Sequence, residues 1–226
     1  MNRKVTALFT SSLLAFAPAG FAAGTQYSMN LTGVGNGTVA AGVYVSPYQG
    51  TVQGNGIDYS GNMICDDFNT ESHLNTPWNA VMTYAGALSG TEKFTSDVVF
   101  NGNTYSAQQS YNAAGWLANG LLANLNDPTI QTDYSFAIWN IFDGQLTDPK
   151  GGALSLEKSA FSAVADGYVA SNVRVFTPSP SNASQEFLVA TPVRAPEIDP
   201  ASATAGLTLL LGGAAVASSR RAKNHS

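Results

Sequence analysis

Short runs rich in aromatic and β-branched side chains follow one another along the first half of the chain: TQYSMNLTG, AGVYVSPY, NMICDDF, WNAVMTY and SDVVFNG. Gly and Asn clusters such as GVGNG and QGNG divide them. This pattern predicts strands of an antiparallel sheet, because such side chains suit a pleated, half-buried surface and Gly and Asn suit turns. The period then lengthens. Ala113, Trp116, Leu117 and Leu121 recur every three to four residues, as do Ile130, Tyr134, Ala137, Ile138, Ile141 and Phe142, which predicts amphipathic helices. The second helix is expected to start at Asp127-Pro128, an N-cap followed by proline at the first helical position, and to end near Asp143-Gly144. A third is expected over residues 156–170, with Phe161, Val164 and Tyr168 inward. Two more strands, NVRVFTP and QEFLVATP, close the domain. Helices grouped after strands imply α+β: an antiparallel β-sandwich or barrel-like sheet with an inserted helical bundle of about three helices. No internal repeat, Gly-rich phosphate loop or dividing linker interrupts it.

Both ends read differently. Arg3 and Lys4 precede an apolar stretch over residues 5–16, and Gly20-Phe21-Ala22 is a small-x-small cleavage site. Residues 1–22 are therefore expected to be a signal peptide removed by signal peptidase; Pro18 and Gly20 interrupt the run before membrane length. Near the other end, residues 201–217 are uncharged and mostly small or aliphatic, about the minimum length for a spanning helix. Arg220, Arg221 and Lys223 follow at once and act as a stop-transfer signal, since basic flanks stay on the cytoplasmic side. The expected division is a secreted domain over 23–191, a Pro-rich motif over 192–200, a transmembrane helix over 201–219 and a basic cytoplasmic tail over 220–226. Prolines at 192, 196 and 200 favour an extended, protease-accessible segment.

This order of parts resembles the PEP-CTERM sorting signal of Gram-negative bacteria: a short Pro-Glu motif, one apolar helix and an Arg-rich end. The matching residues are Pro196-Glu197, residues 201–217 and Arg220-Arg221. The resemblance covers about the last thirty residues. It implies processing by an exosortase, a membrane-embedded cysteine-protease-like enzyme, after transient anchoring in the inner membrane. The product would go to the cell surface or the exopolysaccharide matrix. The motif Pro196-Glu197-Ile198-Asp199-Pro200 departs from the family pattern at Ile198, where a second proline belongs, and this leaves the cut position open. A permanent single-span anchor is the alternative.

Between residues 24 and 195 five Lys and Arg face thirteen Asp and Glu, a net charge of −8. That balance argues against nucleic acid or anionic lipid as partner. The single cysteine, Cys65, forms no internal disulfide and is expected as a small buried strand residue.

MICDDF, NAAGWLANGLLAN and SFAIWNIFDG together resemble a pattern of surface-exposed PEP-CTERM proteins and, more distantly, the thioester domain of bacterial surface adhesins. In that domain a strand cysteine bonds to a Gln two positions before Ala-Ile-Trp. The resemblance places Cys65 as the thiol and Ala137-Ile138-Trp139 as the helical motif, but the expected Gln position holds Ser135. A serine hydroxyl cannot donate the acyl carbon. Gln131, one helical turn earlier, is the nearest substitute.

Three weaker groupings remain. Cys65, Asp66 and His73 have the residue types of a cysteine hydrolase. Asp66, Asp67, Asn69 and Glu71 carry oxygen ligands of the kind calcium takes, without the EF-hand spacing. Trp78 and Tyr84, if exposed, have faces on which sugar rings stack. The expectation is a surface or matrix protein that binds an exopolysaccharide or another surface ligand, is not an enzyme, and has no catalytic residue, metal site or cofactor. A thioester-type covalent adhesin using Cys65 and a secreted cysteine hydrolase are the alternatives.

Overall fold

A computed structural model describes residues 26–144 and 146–191. In chain order the elements are β1 (Gln26–Gly33), β2 (Val39–Ala40), β3 (Val43–Tyr44), β4 (Tyr48–Gly54), β5 (Ile57–Cys65), β6 (Trp78–Tyr84), β7 (Val98–Phe100), β8 (Asn103–Tyr105), α1 (Ala107–Leu122), α2 (Pro128–Asp143), α3 (Ala153–Ala165), β9 (Val173–Pro178) and β10 (Phe187–Ala190). Six strands close into a barrel in the order β1-β4-β5-β10-β9-β6, antiparallel throughout, with β6 returning to β1. The α+β expectation holds in its barrel form. Because β6 and β9 pair directly, from Ala80 opposite Pro178 to Tyr84 opposite Arg174, residues 85–172 are an insertion between two neighbouring barrel strands. The three helices lie in that insertion and pack on one another.

Local chemistry explains most elements. In β1, Tyr27, Met29 and Leu31 are buried while Gln26, Ser28 and Thr32 are exposed, the two-residue alternation of a strand with one face inward. Asn55 and Gly56 join β4 to β5 with φ of 49° and 78°, a two-residue hairpin turn that needs positive φ at both positions. Asp127 caps α2, its Oδ1 accepting from the Thr129 and Ile130 N–H groups at 2.9 and 3.1 Å, as the Asp-Pro pair predicts. Ser106 and Gln109 form a capping box that starts α1 ahead of its apolar stripe.

Three expectations change. AGVYVSPY is not one strand; only Val43 and Tyr44 belong to β3, and the barrel strand is the less apolar segment YQGTVQG. Gly50 permits this, because a Cβ there would lie 2.6 Å from Met63 Sδ and 2.7 Å from the Asn30 carbonyl oxygen. SDVVFNG supplies β7 and the turn of a β7–β8 hairpin outside the barrel, where Phe100 and Tyr105 stack on Phe161 with centroids 4.9 and 4.1 Å apart. The third helix begins and ends earlier than expected. Gly167, at φ 92°, donates to Val164 O while Tyr168 N–H donates to Ala163 O, a paired closure that stops the helix before Tyr168.

The expected signal peptide, the motif from Pro196 to Pro200, the transmembrane helix over 201–219 and the tail with Arg220, Arg221 and Lys223 lie outside the described residues. Among the described residues, no helix is long and apolar enough to cross a membrane.

Candidate functional site

β5 delivers Cys65 to the place where the barrel meets α2. Cys65 is fully buried at the strand's last position, opposite Phe187 of β10. Its backbone N–H donates to Ser46 Oγ at 3.0 Å, and the Ser46 N–H donates in turn to Ser135 Oγ at 3.1 Å. Ser46 precedes β4 and Ser135 lies on the buried face of α2, so two serines tie the cysteine strand to the helix. The thiol donates to the Asp67 carbonyl oxygen at 3.2 Å. Burial above all, and then the neighbouring Asp66 carboxyl, push the Cys65 thiol well above its ordinary range. The Trp139 indole, which has no oxygen or nitrogen partner of its own, acts in the opposite direction without reversing the result. A thiol held protonated in this way is a poor nucleophile.

Immediately after it the environment becomes charged. Asp66 and Asp67 are both fully buried. Asp67 pairs with Lys93 through Oδ2 and accepts from the Thr70 N–H through Oδ1 at 3.2 Å. Lys93 Nζ also reaches Thr70 Oγ1. Glu186, equally buried, accepts from the Tyr111 and Thr177 hydroxyls and from the Lys93 backbone N–H at 2.9 Å. Asp143, at the end of α2, accepts from the Phe68 N–H at 2.6 Å and from Asn69 Nδ2 at 2.8 Å. No donor group reaches either carboxyl oxygen of Asp66. Burial, then the charges of Glu186, Asp67 and Asp143, raise its pKa well above the ordinary carboxylate range. The shift favours the protonated form of Asp66, and burial raises the pKa of neighbouring Glu186 in the same direction.

A cleft of about 540 Å³ opens where Trp139 of α2 and the segment after β5 meet, and Cys65 is not part of its lining. Tyr44, Tyr48, Phe68 and Trp139 supply its aromatic wall, and Glu71 and His73 are among its polar groups. Trp139 packs on Phe68 and on Phe136, each with centroids 5.2 Å apart, and the Tyr48 hydroxyl donates to the Tyr44 carbonyl oxygen at 2.7 Å.

Of the expected residues, the fold brings Cys65 and Ser135 together through Ser46. Gln131 does not point its amide at the thiol as a substitute acyl donor. Its Oε1 accepts from Asn36 Nδ2 and Thr38 Oγ1 at 2.9 and 3.2 Å, and its Nε2 donates to the Leu125 carbonyl oxygen at 2.6 Å. His73 stands exposed on the cleft wall and no hydrogen bond joins it to Cys65, whose proton goes to Asp67 O. The proposed calcium ligands are divided: Asp67 serves Lys93, Asn69 serves Asp143, and Glu71 faces the cleft. Among the described residues, no group of three or more His, Cys, Asp and Glu is arranged to hold a metal ion. Trp78 is buried against Phe187, at 5.8 Å, which removes it as a sugar platform, whereas Tyr84 is exposed. Sequence reasoning missed Ser46, Lys93, Tyr111 and Glu186. Only Glu186 carried a signal, as a charge directly before four buried apolar residues.

No family model matches the chain, and no curated protein does. Among solved structures, the chain is similar to the N-terminal thioester domain of a surface protein from Clostridium perfringens, with a TM-score of 0.44 and 14% identity over 74% of this chain and 99% of that one. A cysteine-to-alanine variant of that domain gives 0.45 and 12% over 73% and 98%.

Proposed function

We propose that this chain is an exported surface or matrix protein, sorted by an exosortase through a PEP-CTERM signal, whose folded domain acts by binding and not by catalysis. The observation that carries the binding reading is the aromatic cleft: concave, aromatic on one side, with a few polar groups, it has the lining of a ligand site. The weak, acidic charge of the domain directs the choice of ligand toward an uncharged surface polymer such as an exopolysaccharide. Tyr44, 47% exposed at the cleft, offers the most accessible ring. Binding of the secreted protein to matrix polysaccharide should fall on Tyr44→Ala, with the fold intact by circular dichroism; retention of full binding would reject the cleft.

Export rests on the two chain ends. Surface-localised protein should begin at Ala23 and lack the peptide AKNHS, and deletion of the exosortase should hold the precursor in the inner membrane. Recovery of AKNHS from the surface form would favour the permanent anchor instead.

A second reading, the thioester-type adhesin, is favoured by the single serine that separates Cys65 from Ser135. It requires another amide to take the role of the missing Gln, and Gln131 is engaged elsewhere. A mass lighter by one ammonia in the folded domain would support it.

A further inference from the structure

We propose that Lys93 and Asp67 are joined by an intramolecular isopeptide bond, formed spontaneously in the folded domain. Among the described residues theirs is the ion pair of the molecule, and it is placed in a setting unusual for one. The Asp67 side chain is completely buried, and that of Lys93 is 21% exposed. Thr70 holds both partners: its N–H binds Asp67 Oδ1 and its hydroxyl meets Lys93 Nζ. The lysine backbone is fixed as well, by donation to Glu186. Nζ, in contact with Oδ2, is thus held next to the carbon that oxygen is bonded to, and such positioning lowers the barrier to a reaction between two side chains.

The surroundings favour the neutral product. The Asp67 carboxylate has lost its hydration, so replacing the ion with an amide relieves a cost that the same carboxylate in water never incurs. Condensation also needs a proton carrier close at hand. Thr70 Oγ1, in contact with Nζ, stands where it can take a proton and return one. The chemistry balances. The Lys93 ammonium passes one proton to the Asp67 carboxylate, and the free amine attacks Cγ. Thr70 Oγ1 takes the second proton from Nζ and gives its own to the departing hydroxyl. The new bond is Nζ–Cγ, the broken bond is Cγ–O, and one water leaves toward the solvent that already reaches Lys93. The bond would link the segment following β5 to the segment preceding β7 and staple the helical insertion to the barrel, a fitting device for a protein held outside the cell.

Trypsin makes the test direct, because no Lys or Arg lies between Ala23 and Lys93 and the next is Lys150. The purified full-length or secreted protein should be lighter by one water. After denaturation and digestion, cleavage should be absent at Lys93, so that the first tryptic peptide runs through to Lys150 and contains the branch to Asp67. Lys93→Arg, which keeps the cation and the fold, should restore the full mass and a cut after residue 93. Full mass with complete cleavage after Lys93 overturns the proposal and leaves an ion pair only. A water lost while Lys93 remains cleavable overturns it too, by placing the dehydration elsewhere.

Discussion

Cys65 and Asp66 are consecutive and both fully buried, yet the fold treats them in opposite ways. The cysteine faces aromatic rings and has every polar need met by neutral groups: Ser46 for its N–H, the Asp67 carbonyl for its thiol. The aspartate lies among three further carboxyls, Asp67, Asp143 and Glu186, of which Asp67 alone pairs with the Lys93 ammonium. Burial raises the pKa of both, but only the second region stores electrostatic stress, since a neutral thiol in apolar surroundings costs little. The residue type that looks most reactive in the sequence is thus the quiet one, and the acidic pair next to it carries the electrostatic stress.

Breaking the charged region should have the largest effect. Glu186→Ala leaves the Tyr111 and Thr177 hydroxyls and the Lys93 N–H without their acceptor inside the barrel. A loss of about 3–5 kcal/mol is expected, read as a fall in the denaturant midpoint. Next comes pH. Asp66 binds its proton more tightly in the fold than in the unfolded chain, so its contribution is complete below the ordinary carboxylate value of about 4 and is lost as pH rises through its raised folded value. Glu186 and Asp143, also raised by burial, act in the same direction. Stability should therefore decline as pH rises above the ordinary carboxylate range, and Asp66→Asn should flatten that slope; an unchanged slope would show that Asp66 is ionised in the fold.

The neutral region should respond less. Ser46→Ala removes the acceptor for the Cys65 N–H and is expected to cost about 1–3 kcal/mol in chemical unfolding. Smallest of all is the thiol itself. Cys65→Ala should cost about 1 kcal/mol, and alkylation of native protein should require denaturant; rapid labelling under native conditions would erase the contrast between the two regions.

Much of the fold was legible because its signals are local. The alternation in β1, the Asp127-Pro128 start of α2 and the Asn55-Gly56 turn each depend on residues within a few positions of one another, where sterics and short hydrogen bonds decide. The low charge of the domain was equally plain. The site was less legible. Cys65 stood out as a lone thiol, but Ser46 and Ser135 that hold its strand are separated by 89 residues, and Gln185, which binds the Asp67 carbonyl, lies 118 residues beyond it.

Tertiary structure alone decided that β6 and β9 pair across an insertion, that Gly50 is the point where β4 crowds Met63 and Asn30, and that Tyr111, Thr177 and Glu186 meet beside Asp66. A residue's own type says what bonds it can make. Which partner it meets, and whether water is present when it does, is set by barrel closure, and that depends on the summed burial of side chains far apart in the chain rather than on any short stretch of it.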